Sequence, residues 1–501
     1  MSWIVLAGDY AYKVKRPVRF SFLDYSTVAR RRAACRAEVE LNRRWAPDLY
    51  LGVAELTMTR DGPRFDGPGR AIEPAVRMRR FDRSQELDAL VGRGDVTAAE
   101  LAELGTRVAG WQASSPVVAA GSPWGKPTES LAAVRDNLSA LAAPAGSSHA
   151  TMLAQLRDWI AAEYERVAPL LARRRAAGLV RECHGDLHTR NVVRIAGRLT
   201  PFDGIEFAPR LRFIDVASDV AFLAMDLERL GRPDLAAAFF DAWLAASGDY
   251  ESAGVWRWFL VYRALVRAKI DALRAAQLAS NPAAAATAAD ESRRFVAVAL
   301  EYALRPAAPV LITCGPSGSG KSSVAAALVP AFPAVRLRAD VERKRLAGLD
   351  AEARSGSAPG TGLYTPQFTR RTYDRLGTYA IALARAGLAA IVDATFLDAS
   401  ERNRLRGAAA AAGAPFAILA CAAPPAVLRE RVATRHGDAS EATVAVLDRQ
   451  LRLAAPLSGA ERSCAVQIDT TLPLAPAAVA RAVRAAAARP GGSPPGAAPA
   501  S

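Results

Sequence analysis

The chain has 501 residues, 51% of them apolar and 23% charged, which suits packed globular domains and predicts two or three of them. Its formal net charge of +15 is carried almost wholly by arginine in an alanine-rich chain, a pattern of coding bias that makes a nucleic-acid partner the lesser reading. The five scattered cysteines form no C-x-x-C, which excludes a zinc ribbon or a disulfide framework and suits a reducing cytoplasm.

The opening "MSWIVLAGDY" has no basic start and too short an apolar run for a signal peptide. "WIVLAGDYAYKVKRP" predicts a hairpin: an apolar run, a Gly-Asp turn, then an alternating strand. Residues 26–45 predict a helix capped by Ser26 or Thr27, and "YLGVAELTMTRDG" and "AIEPAVRMRRF" predict further strands. The pattern is mainly helical from Glu86 to Ala176. A loop and short hairpin surround "HGDLHTRN" between Arg181 and Phe207, and helix resumes from Asp215 to Leu304 with a break near "ASNPAAA".

The register changes near Arg305. "PVLITCG", "AVRLRAD", "LAAIVDAT" and "PFAILAC" predict buried strands alternating with helices, the pattern of a parallel sheet. Residues 407–428 carry no charge, but Pro415, Pro424 and Pro425 interrupt them. They predict a helix end, the strand "FAILACA" and a Pro-started helix, so no membrane partner is expected. The predicted organisation is multidomain, α+β then α/β: residues 1–305, residues 306–488 and a disordered tail over 489–501.

Within the first domain, "HGDLHTRN" has the spacing H-x-D-x-x-x-x-N of a protein-kinase catalytic loop. That spacing puts Asp186 against an acceptor hydroxyl and Asn191 on Mg²⁺; Asp203, twelve residues on in "PFDGIEF", falls where a second metal ligand is needed. His184 braces such a loop rather than reacting, and a metal site on His184 and His188 is not expected, because no other ligands cluster nearby.

In the second domain, "GPSGSGKSS" fits the P-loop pattern, with a strand before it and a helix after. Gly315, Pro316, Ser317, Gly318, Ser319, Gly320, Lys321, Ser322 and Ser323 are the expected ATP-binding residues. Backbone N–H groups wrap the phosphates, Lys321 reaches the β and γ oxygens, and the Ser322 hydroxyl ligates Mg²⁺. Asp340 and Asp393 are expected at strand ends. There Asp340 can take the acceptor's proton and Asp393 can hold Mg²⁺. Arg431 and Arg435 lie one turn apart, which suits either a lid over phosphates or a solvated basic face.

The P-loop, the "RAD" strand end and the arginine pair make residues 309–488 resemble the small P-loop kinases: gluconate kinase, the kinase half of polynucleotide kinase, and zeta-toxin-like proteins. The first domain resembles the aminoglycoside phosphotransferase family, a branch of the protein-kinase fold. "YAYKVKRPVRFSFLDYST", "LNRRWAPDLYLGV" and "HGDLHTRN…FDGIEF" resemble bacterial proteins that fuse such a domain to a P-loop domain, over almost the whole chain. The resemblance implies that Asp186 is the base, that Asn191 and Asp203 hold Mg²⁺, and that Lys13 anchors phosphate with Glu38 as its ion-pair partner. Lys15, on the same strand face, is the alternative to Lys13. Asp219 is implied to brace the catalytic loop. Only a dozen residues precede Lys13, with no glycine-rich loop, so the small lobe is expected to be truncated, its true start upstream or the lobe reduced.

The reading that follows is an ATP- and Mg²⁺-dependent phosphotransferase acting on an alcohol of a small-molecule acceptor. Two alternatives stand beside it. One is a regulatory nucleotide-binding protein with a pseudokinase domain. The other is a polynucleotide-end kinase whose acceptor cleft would draw on Arg336, Arg338, Arg343, Lys344 and Arg345.

Overall fold

The Thr27 hydroxyl accepts the N–H of Arg30 at 3.3 Å and starts the first long helix, α1 (Val28–Asn42). Around it, the computed structural model describes residues 2–20, 23–141, 147–351, 353–357, 360–434 and 440–488. The chain divides into two units: Met1–Ser247 with Trp258–Ala303, and Gly248–Arg257 with Leu304–Ser501.

In the first unit, the strands β1 (Ser2–Ala7), β2 (Tyr10–Lys15), β3 (Tyr50–Thr59), β4 (Gly62–Phe65) and β5 (Arg70–Arg79) form one antiparallel sheet in the order β1-β2-β5-β3-β4. Helix α1 lays Cys35, Val39 and Leu41 on one face of it, against Tyr50, Val76 and Met78. Alternation puts Tyr12, Val14, Ala54 and Ala75 on the other face, where Tyr12 stacks on Phe65. Strand β1 is an edge, paired only with β2, and Trp3, Ile4, Val5 and Leu6 stay exposed on it.

The rest of this unit is helical. Helix α2 (Ala98–Ser114) opens with a Thr97–Glu100 capping box. The short strands β6 (Val180–Glu182), β7 (Val192–Ile195) and β8 (Arg198–Pro201) flank "HGDLHTRN". Helix α3 (Val216–Arg229) follows, capped by Asp215 and buried along nearly its whole length.

In the second unit, β9 (Val310–Cys314), β10 (Ala334–Arg338), β11 (Ala389–Asp393), β12 (Phe416–Ala422) and β13 (Ala465–Asp469) form a wholly parallel sheet in the order β10-β11-β9-β12-β13. Leu311, Ile391, Ala417 and Leu419 pack beneath Val324 and Leu328 of α4 (Lys321–Ala331). The chain leaves β9 in one direction for β10 and β11 and in the other for β12 and β13. The end of β9 is therefore the switch point where such sheets bind ligands. No described helix is long and apolar enough to cross a membrane.

Candidate functional sites

Two sites emerge, one in each unit. In the first, alternation along β2 sends Lys13 and Lys15 to the same side, toward α1. Glu38 of α1, fully buried, takes both: Oε1 accepts Lys13 Nζ at 2.8 Å and Oε2 accepts Lys15. Lys13 also reaches Asp203, so three residues far apart in sequence share one ion-pair cluster. Lys15 is sealed at 2% exposure between Glu38 and Glu206, and Tyr25 Oη donates to Glu206 at 2.7 Å. Burial opposes the charge on both lysines, but the carboxylates around them prevail and raise both pKa values. Burial likewise opposes charge on Glu38, and the two lysines bring it down to about 2.

Asp203 sits two residues past β8 with φ 61°, a left-handed conformation rare outside glycine. Tyr50 Oη accepts its N–H at 2.9 Å, and Asn42 Oδ1 accepts that of Gly204 at 2.7 Å. Helix α1 thus fixes both the lysine pair and the segment that carries Asp203.

The "HGDLHTRN" loop is held from below. Asp219 accepts the N–H groups of His184 and Gly185, each at 3.0 Å, and Arg263 donates to the carbonyls of Gly185 and Ser218. Gly185 has φ 85°, and a Cβ there would meet Leu211 O at 2.7 Å, so only glycine fits. His184 contacts Phe202 O through Nε2 at 2.9 Å and accepts the N–H of Ile205 with its carbonyl, tying this loop to the Asp203 segment. Asn191 Nδ2 donates to the Asp186 carbonyl and carboxylate at 3.0 and 2.9 Å.

His188, set aside in sequence as a metal ligand, lies with Nε2 3.4 Å from Asp186 Oδ2. Burial opposes the charge of Asp186, but His188, His184 and Arg263 hold its pKa well below the usual carboxylate range. Glu206 and Tyr25 were not anticipated as partners of Lys15. The signal for Glu206 was its place three residues after Asp203 in "FDGIEF".

In the second unit the P-loop leaves the end of β9. Gly315 has φ 148°, and a Cβ there would collide with the Cys421 carbonyl; Gly318 and Gly320 are also left-handed. The loop opens a cavity of about 830 Å³, lined by Ser317, Gly318, Gly320, Lys321, Ser322, Ser323, Asp340 and Asp393 among others. Gly315, Pro316 and Ser319 build the loop without lining the cavity. Lys321 Nζ donates to Pro316 O at 2.7 Å, and the Ser317 N–H donates to Gln450 Oε1 at 2.7 Å. Gln450 lies on α5 (Val444–Leu453) and no local motif announced it.

Several expectations are corrected here. Strand β10 stops at Arg338, so Asp340 lies in the first turn of the helix Ala339–Leu346 rather than at a strand end. It still faces the cavity. Burial and the neighbouring Asp393 raise its pKa, with Arg343 opposing. Asp393 does end β11. The helix carrying Arg431 ends at Ala433, and Arg435 lies outside the described residues. Arg431 does not line the cavity; it donates to Thr470 Oγ1 and O at 2.9 and 2.7 Å and to Gly318 O at 3.3 Å, bracing the loop from outside. The basic cluster also disperses: Lys344 is buried against Ala351 O and Glu441, and Arg345 pairs with Glu342, leaving Arg338 and Arg343 on the cavity.

The family model described as an AAA domain matches residues 310–457. Over 450 residues the chain is 30% identical to Uncharacterized protein Rv2004c of Mycobacterium tuberculosis and to Uncharacterized protein Mb2027c of Mycobacterium bovis, covering 88% of this chain and 86% of each relative. The chain belongs to their family. In this chain the unit that carries the P-loop is the one the AAA-domain model matches. Among solved structures, a gluconokinase from Sinorhizobium meliloti 1021 is 24% identical, covering 37% of this chain and 92% of its own, with TM-score 0.26. The choline kinase from Cryptosporidium parvum Iowa II is 8% identical, covering 61% and 88%, with TM-score 0.37.

Proposed function

We propose that the chain is an ATP-dependent phosphotransferase with two separately built sites, each passing the γ-phosphoryl group of ATP to an alcohol. The observation that carries this reading is the meeting of Lys13, Glu38 and Asp203 in one ion-pair cluster, with His184 tying that segment to the loop of Asp186 and Asn191. Such a cluster is what positioning a nucleotide triphosphate requires. At the first site Asp186 takes the acceptor proton as its oxygen bonds to the γ phosphorus and the bond to ADP breaks. Lys13 orients the phosphates.

The donors Asn191 Oδ1 and Asp203 are oxygens, as are Ser322 Oγ and Asp393 at the second site, and they suit Mg²⁺. Bound there, the ion would neutralise charge on the phosphates. At the second site the backbone N–H groups of the P-loop and Lys321 hold the phosphates, and Asp340 takes the proton. The acceptors are small molecules, and the protein works in the cytoplasm. The dispersal of the basic cluster weighs against a polynucleotide acceptor.

The test is transfer of labelled phosphate from ATP to an acceptor panel by the full chain, by Asp186→Asn, by Lys321→Ala and by the double variant. Each single variant is expected to remove one set of labelled products, and the double variant all of them. Undiminished labelling by the double variant would sink the reading.

A further inference from the structure

The carboxylate of Asp186 is held at one oxygen and left bare at the other. Asn191 Nδ2 donates to Oδ2 at 2.9 Å, and His188 Nε2 faces that same oxygen at 3.4 Å. Among the described residues none donates to Oδ1. His188 is itself fixed in place. Its backbone N–H donates to the Asp186 carbonyl at 3.0 Å, and its carbonyl accepts the N–H of Asn191 at 2.9 Å. Its ring meets that of the fully buried Phe222 edge to face, with centroids 5.3 Å apart. Phe222 follows Asp219 by three residues on α3 and precedes Asp226 by four, so the three share a face. Asp219 holds the N–H groups of His184 and Gly185, and Asp226 accepts that of Thr189 at 3.1 Å. One helix face thus grips the loop at three points, and the His188 ring is the middle one. The other ring nitrogen decides where the proton lies. His188 Nδ1 is buried with no hydrogen-bond partner, so a proton there alone would go unmet while a lone pair on Nε2 faced a carboxylate. Nε2 therefore carries a proton.

We propose that His188 is a positioning residue of the first site: its Nε2–H and the Asn191 amide together occupy Oδ2 of Asp186, which leaves Oδ1 as the oxygen that takes the acceptor's proton. This rests on the reading of Asp186 as the base. The acceptor oxygen bonds to the γ phosphorus of ATP, its proton passes to Oδ1, and ADP leaves; His188 keeps its own proton throughout. A carboxylate free to turn about its Cβ–Cγ bond presents either oxygen in any direction, and two donors on one oxygen remove that freedom. Catalytic hydrogen bonds are often long before substrate binds and tighten in the complex, which suits the 3.4 Å separation.

The experiment uses the full chain carrying Lys321→Ala, which silences the P-loop site, and follows labelled phosphate passing from ATP to water, the acceptor always present. His188→Leu keeps an apolar side chain against Phe222 and removes the donor. Its kcat should fall by about 100-fold with KM for ATP unchanged. His188→Gln carries an amide nitrogen at the reach of Nε2 and should recover most of kcat, whereas His188→Asn, whose amide stops at the reach of Nδ1, should not. A ring that only fills space would reverse this order, with leucine best. A second measurement needs neither turnover nor a folded leucine variant. The chain has four histidines, and with nitrogen-15 in their rings the signals that vanish in His188→Gln should be those of a ring with a proton on Nε2. A bare Nε2, a kcat undiminished in His188→Leu, or glutamine no better than leucine would each overturn the inference. Phosphate release undiminished when Asp186→Asn is added to Lys321→Ala would instead overturn the reading of Asp186 beneath it.

Discussion

Glu38 holds two lysines with its two oxygens, and the second, Lys15, has no route to a phosphate. Its place between Glu38 and Glu206 makes it a clamp on the carboxylate that orients Lys13. Lys15→Met leaves two buried carboxylates short of a partner, and a loss of about 3–5 kcal/mol in urea unfolding is expected. The pH dependence has a definite sign. Glu38 is depressed to about 2 in the folded chain, so its contribution is full above the ordinary glutamate value and is lost as pH falls toward about 2. Asp340 runs the other way. Its raised value means that a rate depending on its ionised form climbs with pH at a point above the ordinary aspartate value of about 3.9. A pH–rate profile of the Asp186→Asn chain should show that limb. Asp186→Asn itself should abolish transfer at the first site and leave ATP affinity there nearly unchanged, as read by calorimetry, because Asp186 acts on the acceptor.

At the scale of elements, the segment after β11 depends on one arginine. Arg402, on the helix Ala399–Ala411, is fully buried and grips Glu461 while donating to the carbonyls of Phe396, Leu397, Ala455 and Pro456. Arg402→Met should cost about 3–5 kcal/mol and lower the thermal midpoint, since it removes the cation from the buried Glu461 and a donor from four carbonyls at once. What the sequence made legible at this scale was local. The P-loop, the parallel strands and α1 with its Thr27 cap follow from periodicity and turn chemistry that neighbouring residues supply. Asp340 was placed one element too early because the change from strand to helix at Arg338 carries no glycine or proline to mark it. Arg402–Glu461, Lys15–Glu206 and Ser317–Gln450 were invisible, because each joins residues that only the folded chain brings together.

At the scale of the whole molecule, the two proposed nucleotide sites, one in each unit, predict two responses to one ligand. ATP at 100 times its dissociation constant stabilises a folded unit by about 2.7 kcal/mol. Lys321→Ala should cancel that gain for the second unit alone, and calorimetric melting with and without ATP would show one component shifting and the other not. The loop that receives the phosphates is already engaged, with the Lys321 ammonium on Pro316 O and the Ser317 N–H on Gln450 Oε1. A nucleotide bound as proposed arrives by exchange: its phosphate oxygens displace these two acceptors that the chain itself supplies. The chain acts as its own competitive inhibitor, always present at one equivalent and beyond the reach of dilution. Gln450→Ala removes that rival. For a net hydrogen bond of about 1 kcal/mol, ATP should then bind about fivefold tighter, with a more favourable enthalpy because less is broken on arrival. The affinity of the unaltered chain for a nucleotide is thus set by the difference between two sets of bonds.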